Sequence, residues 1–447
     1  MKIYGLIIGV LLIAAGAVYG LGPHELAVLY NADDPESVLL AETYARLRSV
    51  PEANLVPLSL GTPEQTVSPE FFQQSIWQPA NARLASNGVA GHILAWAYSC
   101  GFPTRIATEP VVSITGYTFV RANLPEAGLV NDGLWRSPLF IGPEPPAGNI
   151  LFAKSLHSYR RWLGSEMPLP AIILAHSGAH GLTMAEAFVL FERSAGADAS
   201  RPAGTIYLLK SDDVRSTCRH WQFAHIERHL RRAGVDLYIG SDMPADGAQI
   251  AGLMMGAADV RINPSWRFLP GAYAEHLTSH AGNFTYRDQT KLTAWLRAGA
   301  SASSGTVVEP LSNWRKFPSA AIFCAYVDGC TFVESIYQAV RSPLQLLVSG
   351  DPLAAPWKVS AGVELSGVPA AADAVFDAVL KVSGDKAVAF TEGLFLLNGR
   401  PFAQGMSCRI DPAELEPGNY TLRGIARYPG LVMQQVFAEK VFVVTAR

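Results

Sequence analysis

The sequence predicts an α/β protein built of two α/β halves, followed by a small all-β sandwich. Three observations carry this. Short apolar runs alternate with capped, amphipathic segments from Leu26 to Val348, as strands and helices do when they are laid alternately into a sheet. After Trp357 the texture changes. Gly393–Leu397, Tyr420–Ile425 and Val436–Val444 alternate with a period of two, separated by turn residues such as Glu416-Pro417-Gly418-Asn419; this reads as an immunoglobulin-like sandwich. The chain has 447 residues, 49% hydrophobic and 16% charged, enough for roughly two to four domains with real cores.

The elements follow in order. Leu26–Tyr30 is a buried strand. Asp34 caps the next helix, with Pro35 at its first position, where a missing N–H costs nothing. Leu40, Tyr44 and Leu47 give that helix its apolar face, and Pro51 stops it. Asn54–Leu60 is the next strand. A helix near Pro69–Ala85 leads to a strand at Gly91–Ala97, and a Pro- and Gly-rich stretch runs from Cys100 to about Gly148. The second block holds the strand Ala171–Leu174, a helix near Met184–Ala195, a strand at Gly204–Leu209, a helix near Trp221–Ala233, and strands at Asp236–Gly240 and Ala251–Met255. Thr331 and Glu334 form a capping box for a helix over Thr331–Val340. Leu344–Val348 is a buried strand closed by Ser349-Gly350-Asp351-Pro352.

The first residues, MKIYGLIIGVLLIAAGAVYGLG, place one cation before a continuous apolar run, with Ala15 and Ala17 as an A-x-A-like site. This reads as a secretory leader; an uncleaved anchor is the rival, since roughly 18–20 apolar residues span a bilayer. Either way the rest of the chain is expected to be exported, to the periplasm, cell surface or extracellular space. The divisions are 1–21 for the leader, 22–150 for the N-terminal half, 151–360 for the C-terminal half and 361–447 for the sandwich. The net charge of -3 argues against a nucleic-acid or polyanion partner. Five cysteines, an odd number, imply at least one free thiol or an intermolecular bridge. Cys324 and Cys330 are close enough in sequence to pair. No C-x-x-C, EF-hand, Walker A, H-E-x-x-H, G-x-S-x-G or dinucleotide fingerprint occurs, so neither a metal nor a cofactor is expected.

The richest stretch is GAYAEHLTSHAGNFTYRDQTKLTAWLRAGASASSGTVVEP at 271–310. It reads as a strand from Ala272 to Thr278, a sharp turn, a helix introduced by a Thr285-Tyr-Arg-Asp288 capping box, a glycine and a strand. Ser279 and His280 then sit where a strand turns into a helix, on the side where α/β folds place ligands. A nucleophilic serine needs a base within roughly 3 Å. Side chains at odd offsets along a strand point to opposite faces, so neither His276 nor His280 reaches Ser279 unless the strand breaks first. His276, Thr278 and His280 share a face. Glu309 ends the following strand on the presumed ligand side, and His180 lies in the loop run HSGAHG at 176–181. The candidates are therefore Ser279, His276 and His180 for catalysis, and Thr278, His280 and Glu309 for ligand binding. Turn and backbone hydrogen bonding is the competing role for His276 and Ser279.

Two resemblances bear on function. VLYNADDPESVLLAETYARLRSVPEANL, EHLTSHAG, LRAGASASSGTVVEP, FPSAAIF and QLLVSGDPLAAPW resemble a family of exported bacterial proteins with no assigned activity. Its motif reads His-Leu-Thr-Ser-Phe-Gly-Gly where this chain has His276 to Gly282, so His280 and Ala281 depart from it. More distantly, the order of elements resembles the gingipain branch of the caspase-like cysteine peptidases, with Gly299-Ala300 and Gly350-Asp351-Pro352 at matching places. That resemblance implies a caspase/gingipain-like core before the immunoglobulin-like sandwich. It also implies that Met255-Gly256 occupies the family's His-Gly place and Ser279 its cysteine place. A thioether accepts no proton, so both catalytic groups are missing. The expected function is binding of a peptide or protein ligand at the former cleft. The alternative is a peptidase-like hydrolase with a rearranged Ser279 and histidine site. Membrane contact is expected only if the leader stays uncleaved.

Overall fold

A computed structural model describes residues 20–145 and 148–445. The expected leader lies outside the described residues apart from Gly20 and Leu21.

Ten strands form one mixed sheet. They are β1 (Leu26–Asn31), β2 (Leu55–Leu58), β3 (Ala95–Tyr98), β4 (Ala171–Ile173), β5 (Thr205–Leu209), β6 (Asp236–Gly240), β7 (Gln249–Gly256), β8 (Arg267–Leu277), β9 (Ala302–Thr306) and β10 (Leu346–Gly350). Their order is β2-β1-β3-β4-β10-β9-β8-β7-β5-β6. Every neighbouring pair is parallel except β9 and β10. The sheet is thus two parallel blocks running in opposite directions and meeting at β10 and β9. β4 pairs with β3, and β10, the last strand of the sheet in the chain, pairs with β4 and completes the first block. Parallel strands covered on both faces read as continuous apolar runs; Leu26–Leu29 and all of β10 are buried.

Helix α1 (Pro35–Arg48) starts as expected, with the Asp34 carboxylate accepting from Glu36 N at 3.0 Å. Its Tyr44 packs edge-on against Phe191 of α2 (Met184–Gly196). At its far end, buried Arg48 pairs with Asp351 and, at 2.7 Å, with Asp198, while Lys358 meets Asp198 at 2.7 Å. Two cations and two carboxylates thereby lock α1, α2 and the turn after β10 together. Gly350 is required there: its φ is +125°, and a Cβ would lie 2.4 Å from the Ser301 carbonyl. The capping box of Thr331 and Glu334 forms, and α4 (Phe332–Ala339) is buried along its whole length; α3, between them, is Leu292–Arg297.

The C-terminal part makes two further sheets. One holds β11 (Gly362–Ser366), β13 (Phe376–Ser383) and β16 (Ser407–Ile410). The other holds the short β12 (Ala371–Ala372), β14 (Glu392–Leu397), β15 (Arg400–Gln404), β17 (Gly418–Tyr428) and β18 (Gln434–Val444). Pairing is antiparallel except between β12 and β18. Leu380, Phe395, Leu422, Val436 and Phe442 belong to a separate core there. Buried Glu25 ties this part to the α/β body by accepting from Gln435 at 2.7 Å and from Arg427 and His157 at 3.2 and 3.0 Å.

Some expectations are corrected. The strand expected from Gly91 starts at Ala95, after a turn. The helix expected from Trp221 opens with a 3-10 segment, His220–Ile226, before its α-helical turn. β8 starts at Arg267, ahead of the expected Ala272, and its register with β7 shifts between Phe268 and Tyr273, where Gly271 has φ +87°. The odd cysteine count allowed a free thiol, and all five are free, Cys324 and Cys330 included. Among the described residues no helix is long and apolar enough to cross a membrane.

Candidate functional site

β7 and β8 end side by side, with Met255 opposite His276 and Gly256 opposite Leu277. β8 stops at Leu277, and the chain turns through 278–291 into α3. The expected capping box at Thr285 does not form. Asn283 takes the turn instead: its Oδ1 accepts from the N–H groups of Thr285 and Tyr286, both at 3.2 Å, and from Thr285 Oγ1 at 2.8 Å. With Thr285 held there and accepting from Arg105 at 2.9 Å, the helix is delayed to Leu292.

His276 is fully buried. Its Nδ1 accepts from Trp295 Nε1–H at 2.9 Å, which places the ring proton on Nε2. Burial pushes its pKa down to about 3, helped by the Arg219 charge and opposed by a Thr290 backbone contact. The ring is neutral and its acceptor nitrogen is occupied. On the other face of β8, buried Glu275 forms an ion pair with Arg219, whose guanidinium also donates to the Met255 and Pro318 carbonyls. Burial raises Glu275 to about 7, with Arg219 opposing. The strand end at Met255 is therefore covered by an arginine.

Ser279 is 7% exposed, and its carbonyl accepts from Thr306 Oγ1 at 2.9 Å. No hydrogen bond joins its Oγ to a histidine among the described residues. Thr278 is buried and donates to Gln289 Oε1 at 2.9 Å; the same oxygen accepts from His280 N at 2.9 Å. Gln289, in the left-handed region at φ +67°, thus pins the turn from inside. His180 is exposed at φ +61°, and its carbonyl accepts from Thr293 Oγ1 of α3. In the same loop His176 stacks on Phe284, with ring centroids 3.8 Å apart, and burial lowers its pKa to about 4.

The open part lies one residue further on. His280 is partly exposed, with its ring 4.1 Å from that of Tyr286, while its Nδ1 is buried without a hydrogen-bond partner. Burial lowers its pKa, Glu309 opposes, and Lys291 and Arg105 add to the lowering. Lys291 holds the loop by donating to the carbonyls of Asp288 at 2.7 Å and His280 at 3.2 Å. Glu309 is exposed, and its Oε1 accepts from Leu311 N at 2.8 Å. The sequence reading missed Gln289, Arg105, Tyr286 and Lys291. Arg105 is distant in the chain and carried no signal, whereas the other three sat inside the stretch that drew attention. No group of three His, Cys, Asp or Glu side chains among the described residues is arranged to hold a metal ion. No family model matches the chain. No curated protein matches it either.

Proposed function

We propose that this chain is a non-catalytic binding protein that holds a peptide or protein segment on the loop beyond β8, with His280, Tyr286 and Glu309 facing the ligand. The observation that carries this reading is the state of His276. It is neutral, sealed, and has its acceptor nitrogen filled by Trp295, so it has no means of taking a proton from Ser279. The finer fold reading, a caspase/gingipain-like core with an immunoglobulin-like companion, belongs to the same proposal. It is supported by the order β6-β5-β7-β8-β9-β10 with only the last strand antiparallel, and by β7 and β8 ending together where the resembling peptidases carry their histidine and cysteine.

Two measurements test the proposal. A fluorophosphonate probe is expected to label wild type no more than Ser279→Ala; Ser279-dependent labelling would restore the rearranged-hydrolase reading. A fluorescein-labelled peptide library, read by polarisation, is expected to yield binders that His280→Ala and Glu309→Gln weaken. Binding untouched by either variant would sink this site.

A further inference from the structure

A second concave region lies at the N-terminal ends of β3 and β4 and shares no lining residue with the loop at His280. It is a pocket of about 290 Å³ whose floor includes Leu84, Leu94, Trp96 and Leu169, all buried. Its rim carries Arg121 and Arg160, and no carboxylate lines it.

Each arginine is held by a backbone carbonyl. Arg121 Nε donates to Met167 O at 2.8 Å and Arg160 Nη2 to Gly91 O at 2.6 Å. Neither makes an ion pair among the described residues. Arg160 sits in the last turn of the helix Leu156–Leu163, where a cation complements the helix dipole. That accounts for Arg160 but not for Arg121 beside it. Arg121 and Ala122 are both in the left-handed region, at φ +54° and +59°. Two successive non-glycine residues there are unfavourable. They close the turn after the helix Ile114–Phe119, where Arg121 N donates to the Thr118 carbonyl at 2.8 Å and Ala122 N to that of Tyr117 at 2.9 Å, and this turn sets Arg121 at the rim. Burial lowers the Arg121 pKa, and the like charge of Arg160 adds to the effect. An anion between the two guanidiniums would relieve this repulsion, and their planar donor forks suit a carboxylate.

We propose that this pocket binds a small organic carboxylate with an apolar body, its charge held between Arg121 and Arg160 and its body laid on Leu94 and Trp96. The volume is at the small end for ligand pockets, which run from about 300 Å³ upward. It therefore fits a body of roughly one apolar side chain. A free aryl or branched-chain acid and the C-terminal residue of a peptide share this chemistry.

The test is calorimetric titration of the full chain with phenylacetate, phenylacetamide, inorganic phosphate, and N-acetyl-Ala-Leu as free acid and as amide. Phenylacetate is expected to bind, with phenylacetamide and phosphate each at least about tenfold weaker, since a charge-assisted pair lost from a pocket costs that much or more. Arg121→Gln and Arg160→Gln are each expected to weaken phenylacetate by a similar factor. Ala90→Trp, at the exposed rim, should block it with both arginines intact; circular dichroism confirms that each variant folds. Binding of N-acetyl-Ala-Leu acid over its amide identifies a peptide end as the occupant, and binding of phenylacetate alone identifies a free acid. Equal binding of acid and amide, phosphate matching phenylacetate, indifference to Ala90→Trp, or no heat with any acid at tens of millimolar would overturn the proposal. The peptide binding ascribed to the His280 loop stands or falls separately.

Discussion

The end of β8 and the loop after it are consecutive in the chain and opposite in character. From Glu275 to Ser279 every side chain is buried, and each charge or ring is committed to a partner inside the protein. After Ser279, His280 is partly exposed, Ala281–Phe284 are buried again, and the loop faces solvent from Thr285 to Asp288 before Lys291 anchors it. Residue types that suggest chemistry are therefore not enough. A histidine whose lone pair already accepts from an indole N–H is part of the core, whereas the one four residues later is partly exposed and lies against the exposed ring of Tyr286.

This contrast can be broken or sharpened by measurement. Trp295→Ala should have the largest effect, about 3–5 kcal/mol, because it opens a cavity and strands the His276 ring. Urea unfolding checks it, and a cost below about 1 kcal/mol would mean that the strand end is not sealed. The next effect is on pH dependence. His276 has an ordinary pKa of 6.5 and a folded value of about 3, so below pH 6.5 the unfolded chain binds a proton that the folded chain refuses. Its contribution is complete above pH 6.5 and falls away as the pH drops towards 3, by about 1.4 kcal/mol per pH unit. His276→Asn keeps an acceptor for Trp295 and removes the titration, so its stability should fall less steeply than wild type between pH 6 and 4.5. Parallel curves would show that the ring is not held neutral. Gln289→Ala removes the acceptor shared by Thr278 and His280 and should cost about 1–2 kcal/mol by thermal or urea unfolding. Glu309→Gln, on the open side, should change stability by no more than about 0.5 kcal/mol. A larger loss would make the open loop structural as well.

Much of the architecture was legible because its signals are local. Asp34 with Pro35 starts α1 and the Thr331 and Glu334 box starts α4, since a cap is satisfied within three residues and needs no partner from elsewhere. The strand Asp236–Gly240, and the strand expected at Val436–Val444 and found at Gln434–Val444, follow from run length and alternation. Thr285 shows the limit. Its pattern is that of a cap, but Asn283 and a distant Arg105 claim its hydroxyl, and the helix begins later. The candidate site was legible only as an address. The strand end was correctly located, whereas the states of its residues depend on Trp295, Arg219, Thr306 and Gln289, which reach it from other elements or from the far side of the turn.

By itself, the sequence determined the α/β character, the change to a β-rich texture after Trp357, the helix starts at Pro35, Pro69, Met184 and Phe332, and the stretch where the chain turns after β8. These follow from periodicity and capping, which act over a few residues. Only the tertiary structure decided that ten strands join one sheet reversing direction between β9 and β10, that His276 is neutral and closed off, and that Arg121 and Arg160, 39 positions apart in number, share one pocket. Burial, the pairing of charges and the facing of distant side chains are set by long-range packing, and one chain read residue by residue does not carry them.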